Sequence, residues 1–427
     1  MSSRVEQRPS QTLAAVSQDC SIELPGTARF VARQPILDLR GRIHGYELLY
    51  RKGTETAFFG DCELASRTVL DDTVLFGLER FTGGSRAFIN CTSETLTEDL
   101  VSVLPSDMAV LELLETVEPS TDLLAACVNL KAHGFKFALD DFVWEPKFVP
   151  LVELADYIKV DFLATGAAAR QELIRQLKGK RVALLAEKVE TVEEYKQACL
   201  EGFSLFQGYY FCRPELVRNR KVPSNHFAHF EILHLLQADP IDWDKLSHAV
   251  RRDESLTYRL LRLINSVGYA VREDIKSVRS ALVLLGEEAF RRVATLAIAT
   301  ELNTGRPPEI LKMAMVRARF CELAAVLCAF SANEQYLLGM LSLLSAMLAV
   351  PMEELTPSLP LRREIREALQ GTANREGRML EWLKGHECGD WVSCEAILES
   401  NGLRQEQVSK CYTEAVFWAE NQFRAVQ

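Results

Sequence analysis

Apolar residues are spaced in two different ways along this chain. Between Arg29 and about Pro214, short apolar runs recur, separated by longer stretches with helical periodicity, as when strands alternate with helices. The runs are 30–36, 43–49, 87–90, 110–114, 136–140, 157–161, 182–187 and 204–207. Eight of them with helices between predict an α/β fold of the modified (β/α) TIM-type barrel class, shorter than the ~250 residues usual for such barrels. The first two runs are separated only by Asp38-Leu39-Arg40-Gly41, a turn and not a helix. That spacing predicts a hairpin and one antiparallel barrel strand.

Past Pro214 the alternation stops. Pro214, Pro223 and the basic run Arg218-Asn219-Arg220-Lys221 mark a boundary, placing a barrel domain at 29–218 and a linker at 219–226. From 227 to 427 the apolar residues keep helical spacing, over 255–267, 277–285, 287–302, 308–330, 334–350, 361–369 and 405–424. Pro307-Pro308 supplies a helix start, and Gly286 and Gly371 supply stops. The second half is therefore expected to be all-α. Residues 1–28 are polar and aperiodic and read as a disordered tail.

Composition sharpens this. The 427 residues carry a net charge of −10. Residues 29–218 hold 22 Lys and Arg against 29 Asp and Glu, a net of −7, which suits a cation site and excludes a dedicated nucleic-acid surface. Eleven cysteines, an odd number without a C-x-x-C pair, read as reduced thiols. The longest uncharged run, 335–352, is interrupted by Gly339, Ser342 and Ser345 and reads as a buried helix and not a membrane span. A soluble, cytoplasmic protein is the expectation, with no membrane partner.

Seven of the eight predicted strands carry polar residues at or near their ends: Glu47, Asn90, Glu112, Asp140 with Asp141, Lys159 with Asp161, Glu187 and Gln207. Reactive side chains of such barrels gather at the C-terminal ends of the strands. Adjacent acids such as Asp140-Asp141 repel unless a cation or proton lies between them. Carboxylates and an amide are the donors a hard divalent cation takes, and two such cations can clamp a phosphodiester and activate water. A lysine inside that ring would stay charged and orient water or phosphate.

The motifs resemble those of EAL domains, the cyclic-di-GMP phosphodiesterase family. Gln34-Pro35-Ile36 and Tyr46-Glu47-Leu48-Leu49-Tyr50-Arg51 resemble its opening, and Asn90 falls at its metal-binding Asn. Glu112-Leu113-Leu114-Glu115, Asp140-Asp141-Phe142, Lys159-Val160-Asp161, Ala186-Glu187-Lys188-Val189-Glu190-Thr191 and Gln207-Gly208-Tyr209 follow in the family order. The resemblance implies metal ligands at Glu47, Asn90, Glu112, Asp140 and Asp141, and catalytic groups at Lys159, Glu187 and Gln207. It implies ligand contacts at Gln34, Arg51 and Asp161. The cofactor would be Mg²⁺ or Mn²⁺ for turnover, with Ca²⁺ supporting binding alone. Two departures stand out. The family's Gly-rich loop after Asp-Asp-Phe is Val143-Trp144-Glu145-Pro146-Lys147-Phe148 here, stiffer and bulkier, and Lys188 replaces a glycine.

The helical half resembles HDOD domains through Leu260-Leu261-Arg262-Leu263-Ile264-Asn265-Ser266, Ile275-Lys276-Ser277 and Ala281-Leu282-Val283-Leu284-Leu285-Gly286. None of the seven histidines is followed by Asp, so the His-Asp metal pair of the related hydrolases is missing. His226, His229 and His234, at offsets of three and five, do not share a helix face and argue against a metal site there. The combined resemblance implies a cyclic-di-GMP signalling regulator whose HDOD half meets a protein partner, with a homodimer allowed. An active phosphodiesterase yielding the linear dinucleotide is the alternative, and a scaffold binding no nucleotide the third.

Overall fold

The computed structural model describes residues 29–52, 78–212, 224–238, 240–266, 277–359 and 361–426. The expected tail 1–28 lies outside the described residues, as does the start of the expected linker. Eight strands close a barrel in chain order: β1 (Arg29–Asp38), β2 (Ile43–Lys52), β3 (Arg86–Cys91), β4 (Ala109–Leu113), β5 (Lys136–Leu139), β6 (Tyr157–Asp161), β7 (Ala183–Glu187) and β8 (Leu205–Gln207). β1 runs antiparallel to both β2 and β8, and every other pair is parallel. The hairpin turn is tied by the Asp38 carboxylate, which accepts from the backbone N–H of Arg40 at 2.8 Å and of Arg42 at 2.9 Å.

Period-2 alternation stacks the barrel interior in layers. The lower layer is apolar and closed: Ile36, Phe88, Val110, Ala138, Tyr157, Leu185 and Leu205 form one buried cluster. Two residues further toward the mouth stand Asn90, Glu112, Asp140, Lys159, Glu187 and Gln207, one per strand. On the reversed strand β1 the order inverts, so Gln34 precedes Ile36 and pairs with Glu47 of β2. Gly45 sits below Glu47 where any Cβ would fall 2.8 Å from the Arg86 carbonyl and 2.9 Å from the Phe88 ring. The apolar floor thus lifts the polar layer to the open end.

A turn joins β1 to β2, so no helix is inserted between these two strands to cover their outer face. The helical half covers it. Arg33 and Tyr46 point outward there and are 7% and 0% exposed. They meet α2 (Pro308–Cys328) and α5 (Gln405–Val426), while α1 (Leu78–Thr82) flanks the contact. Arg33 Nη1 donates to Glu420 Oε1 at 2.5 Å and to the Phe81 carbonyl at 2.5 Å, with its guanidinium 4.5 Å from the Tyr46 ring centre. Lys312 Nζ lies 3.0 Å from the same Glu420 oxygen, and the Tyr46 hydroxyl donates to Glu309.

Two details of the helical half depart from expectation. The stretch 334–350 is not one helix but Ala332–Leu341 followed by Leu344–Leu348. At the break the Ser342 hydroxyl donates back to the Gly339 carbonyl at 2.7 Å, competing with helix continuation. Gly339 also packs against α2 so closely that a Cβ would lie 2.3 Å from the Arg317 carbonyl. Second, a helix already begins at Ser224 (Ser224–Gln237), inside the expected linker. Helices Trp243–Arg251, α3 (Arg378–Cys388) and α4 (Trp391–Asn401) were not anticipated either. Among the described residues no single helix is long and apolar enough to cross a membrane.

Candidate functional site

Lys159 is the hub of the mouth. Its Nζ, with no exposed surface on the residue, lies 2.7 Å from Asp140 Oδ1, 2.9 Å from Glu112 Oε1, 2.9 Å from Glu187 Oε1 and 3.3 Å from Glu47 Oε2. The contacts are ion pairs around a central cation. Gln207 Nε2 donates to Glu47 Oε2 and to Gln34 Oε1, both at 2.6 Å, and Asn90 Nδ2 donates to Glu47 Oε1 at 3.4 Å. The ring therefore runs from β8 through β1 and β2 to β3.

Burial and crowding set the protonation of the ring. Burial by itself would depress the Lys159 ammonium, but Glu112, Glu187, Glu47 and Asp140 outweigh it and hold its pKa well above the usual lysine value. Burial pushes Glu112 well above the carboxylate range, with Glu47 and Asp140 adding to the rise and Lys159 opposing it. Glu187 is pushed up to about 8, first by burial and then by Asp140 and Glu47, against Lys159. A carboxyl raised on folding holds its proton more tightly in the native chain. Its contribution is present below the unfolded pKa, is lost as pH rises, and is gone above about 8. Thermal melts should accordingly fall between about pH 5 and pH 8, and Glu187→Gln should flatten that slope. An unchanged slope in the variant would contradict the assignment.

Asp141 and Lys188 both adopt left-handed backbone, at φ 40° and 52°. For Lys188 that conformation carries strain of about 1–2 kcal/mol. Its ammonium pairs with Asp161 Oδ2 at 2.5 Å and stands 3.7 Å from Asp141 Oδ2. Asp161 spends its other oxygen on the backbone N–H groups of Leu163 and Ala164, at 2.9 and 2.8 Å. It lies beside the ring, not in it. The loop 143–148 turns away from the mouth: Trp144 and Phe148 pack on the outer barrel core, and none of its residues lines the cavity above the ring.

Among the described residues no three His, Cys, Asp or Glu side chains stand at metal-binding spacing. Lys159 Nζ already occupies the point where the carboxylates meet. The donor set still fits a hard divalent cation, since Glu47, Asn90, Glu112, Asp140 and Asp141 offer oxygen and no soft ligand. Glu112 Oε2 and Asp141 Oδ1 are buried and accept no hydrogen bond from the described residues, and Glu112 Oε1 faces Lys159 Nζ at 2.9 Å. Such atoms are available to a cation that displaces the ammonium.

Of the eleven predicted site residues, Glu47, Asn90, Asp140, Asp141, Glu187, Gln207 and Gln34 line one cavity of about 1170 Å³, with Glu112 and Lys159 directly beneath. Arg51 lies in β2, and its side chain falls outside the described residues. What sequence reasoning missed is the roof. Glu309, Met313, Glu387, Cys388, Trp391 and Tyr412 of the helical half line the same cavity. The helical spacing of Met379, Leu380 and Leu383, and of Trp391, Cys394 and Leu398, was the available signal for α3 and α4. The histidines do not assemble into a site: His229 pairs with Asp253 at 2.9 Å beside His226, while His234 lines a separate surface pocket.

Residues 67–214 match the EAL domain family and residues 222–375 the HDOD domain family. The chain is 34% identical over 402 residues to the cyclic di-GMP phosphodiesterase CdgJ of Vibrio cholerae, covering 92% of both chains. It is 32% identical over 404 residues to the uncharacterized protein YuxH of Bacillus subtilis, covering 92% of this chain and 98% of that one. Among solved structures, the manganese and cyclic-di-GMP complex of Klebsiella pneumoniae BlrP1 aligns at 24% identity and a TM-score of 0.36, over 44% of this chain and 56% of that one. The EAL domain of Mycobacterium smegmatis DcpA aligns at 19% and 0.35, over 43% and 91%.

Proposed function

Because the chain belongs to the family of proteins that join an EAL domain to an HDOD domain, we propose that it is a cyclic-di-GMP signalling regulator whose barrel binds the dinucleotide. The helical half is its output module, meeting a protein partner. The observation that carries this reading is the mouth itself. Four carboxylates converge on buried Lys159 beneath a cavity that reaches the helical half. Glu47, Asn90, Glu112, Asp140 and Asp141 would hold Mg²⁺, Mn²⁺ or Ca²⁺, which supplies the positive charge that draws a phosphodiester into an acidic mouth. Gln34 and Arg51 would contact the ligand, and Lys159, Glu187 and Gln207 would set the charge and orientation of the groups around it. Exposed Tyr258, Val283 and Leu284 give the helical half apolar surface for a partner.

Calorimetry of the purified full chain with cyclic-di-GMP and Ca²⁺ tests the reading. Saturable binding is expected, weakened about tenfold by Arg51→Ala, the worth of one charge-assisted contact to phosphate. A flat titration would refute it. Hydrolysis is the second reading, favoured by the Vibrio relative named as a phosphodiesterase and by the complete set of strand-end carboxylates. With Mg²⁺ or Mn²⁺, appearance of the linear dinucleotide would establish turnover.

A further inference from the structure

The cavity has two walls from different halves of the chain. Below lie the mouth residues around Glu47 and Gln207. Opposite them stands the turn between α3 and α4, bearing Glu387, Cys388, Gly389 and Trp391. At about 1170 Å³ the space stands just above the ~300–1,000 Å³ of ordinary small-molecule sites, a size suited to a ligand larger than a mononucleotide.

Glu387 ties the two walls together. Arg317 of α2 donates to both its carboxylate oxygens, from Nε at 3.1 Å and Nη2 at 2.6 Å. Tyr209, two residues past Gln207, donates its hydroxyl to Glu387 Oε2 at 3.3 Å. The Glu387 backbone carbonyl accepts from Gln34 Nε2 at 3.1 Å, and Gln34 in turn accepts from Gln207, which also holds Glu47. A continuous hydrogen-bonded path thus runs from Glu47 to the central helix of the helical half. The path is buried: Glu47, Glu387 and Arg317 are 6%, 5% and 2% exposed.

From this geometry we infer that the ligand site is shared between the domains, with the segment 387–391 of the helical half forming the wall that closes over a dinucleotide seated on the barrel mouth. Occupancy then reaches the helical core through contact, along Gln34, Glu387 and Arg317, without a gross domain movement. The inference rests on the cyclic-di-GMP reading and adds a second domain to that site.

Cys388 offers a direct probe, because its side chain lines the cavity and is exposed. The full-length protein is labelled with a small maleimide, with and without cyclic-di-GMP and Ca²⁺, and each cysteine is followed by peptide mass spectrometry. At a ligand concentration of about ten times Kd, labelling at Cys388 should slow about tenfold, the fraction of sites left empty. Cys411 on α5, which does not line the cavity, should keep its rate. Calorimetric binding with unchanged labelling at Cys388 would overturn the shared site alone. Faster labelling would show the helical half swinging off the mouth and would overturn it too. Absence of any calorimetric binding would remove the nucleotide reading itself and this inference with it.

Discussion

Lys159→Ala will destabilise the full chain by about 3–5 kcal/mol, the cost of stripping a buried charge cluster of its counter-ion. Four carboxylates point at Lys159 Nζ, and two of their residues, Glu112 and Glu47, are 0% and 6% exposed. Without the ammonium the ionised members of the ring must take up protons or draw apart. Millimolar Ca²⁺ should restore much of the loss in the variant and far less in the wild type, because a cation can stand where the ammonium stood. Urea unfolding with and without Ca²⁺ measures both effects. A variant as stable as the wild type without Ca²⁺ would show that the ring does not depend on Lys159.

Glu420→Ala will act at the other buried cluster, between the two halves. Arg33 and Lys312 both rest on this one carboxylate, at 2.5 and 3.0 Å. Burial would raise the Glu420 pKa, yet the two cations hold it below the usual glutamate range, so it is ionised at neutral pH. Its removal leaves Arg33 and Lys312, among the described residues, with Glu309 as the nearby carboxyl, whose own pKa burial has raised. The loss should again be about 3–5 kcal/mol. Native-state hydrogen exchange should show it as faster exchange in α1 and α5, where Phe81 and Phe417 also meet at 5.1 Å, and little change in β4–β7. Uniform acceleration across the barrel would mean that Glu420 supports the whole fold and not the contact between the halves.

These two clusters differ in how visible they are in the sequence. The mouth ring is legible because strand geometry is local. A period of two puts Val110 and Glu112, or Leu185 and Glu187, on the same inward face, so apolar floor and polar rim can be read strand by strand. The hairpin of β1 and β2 follows as directly from the short turn after Asp38. The interface cluster has no local signature. Arg33 and Glu420 are 387 residues apart, and each alone looks like an ordinary surface charge. The helix break at Ser342 escaped for a related reason: helical spacing persists across it, and the close approach of Gly339 to Arg317 is a tertiary contact.

Taken by itself, the sequence determined that eight strands would close a barrel with carboxylates, an amide and a lysine at its mouth, and that helices would follow. Periodicity and strand-end chemistry are properties of single segments. Only the tertiary structure decided that Lys159 stands at the centre of the ring, because convergence depends on barrel closure. It alone brought α3 and α4 over the mouth, since the uncovered face of the β1–β2 hairpin must be buried by something and the helical half supplies it. It also turned the loop 143–148 away from the cavity, with Trp144 and Phe148 gaining more from the apolar flank of the barrel than from an acidic mouth.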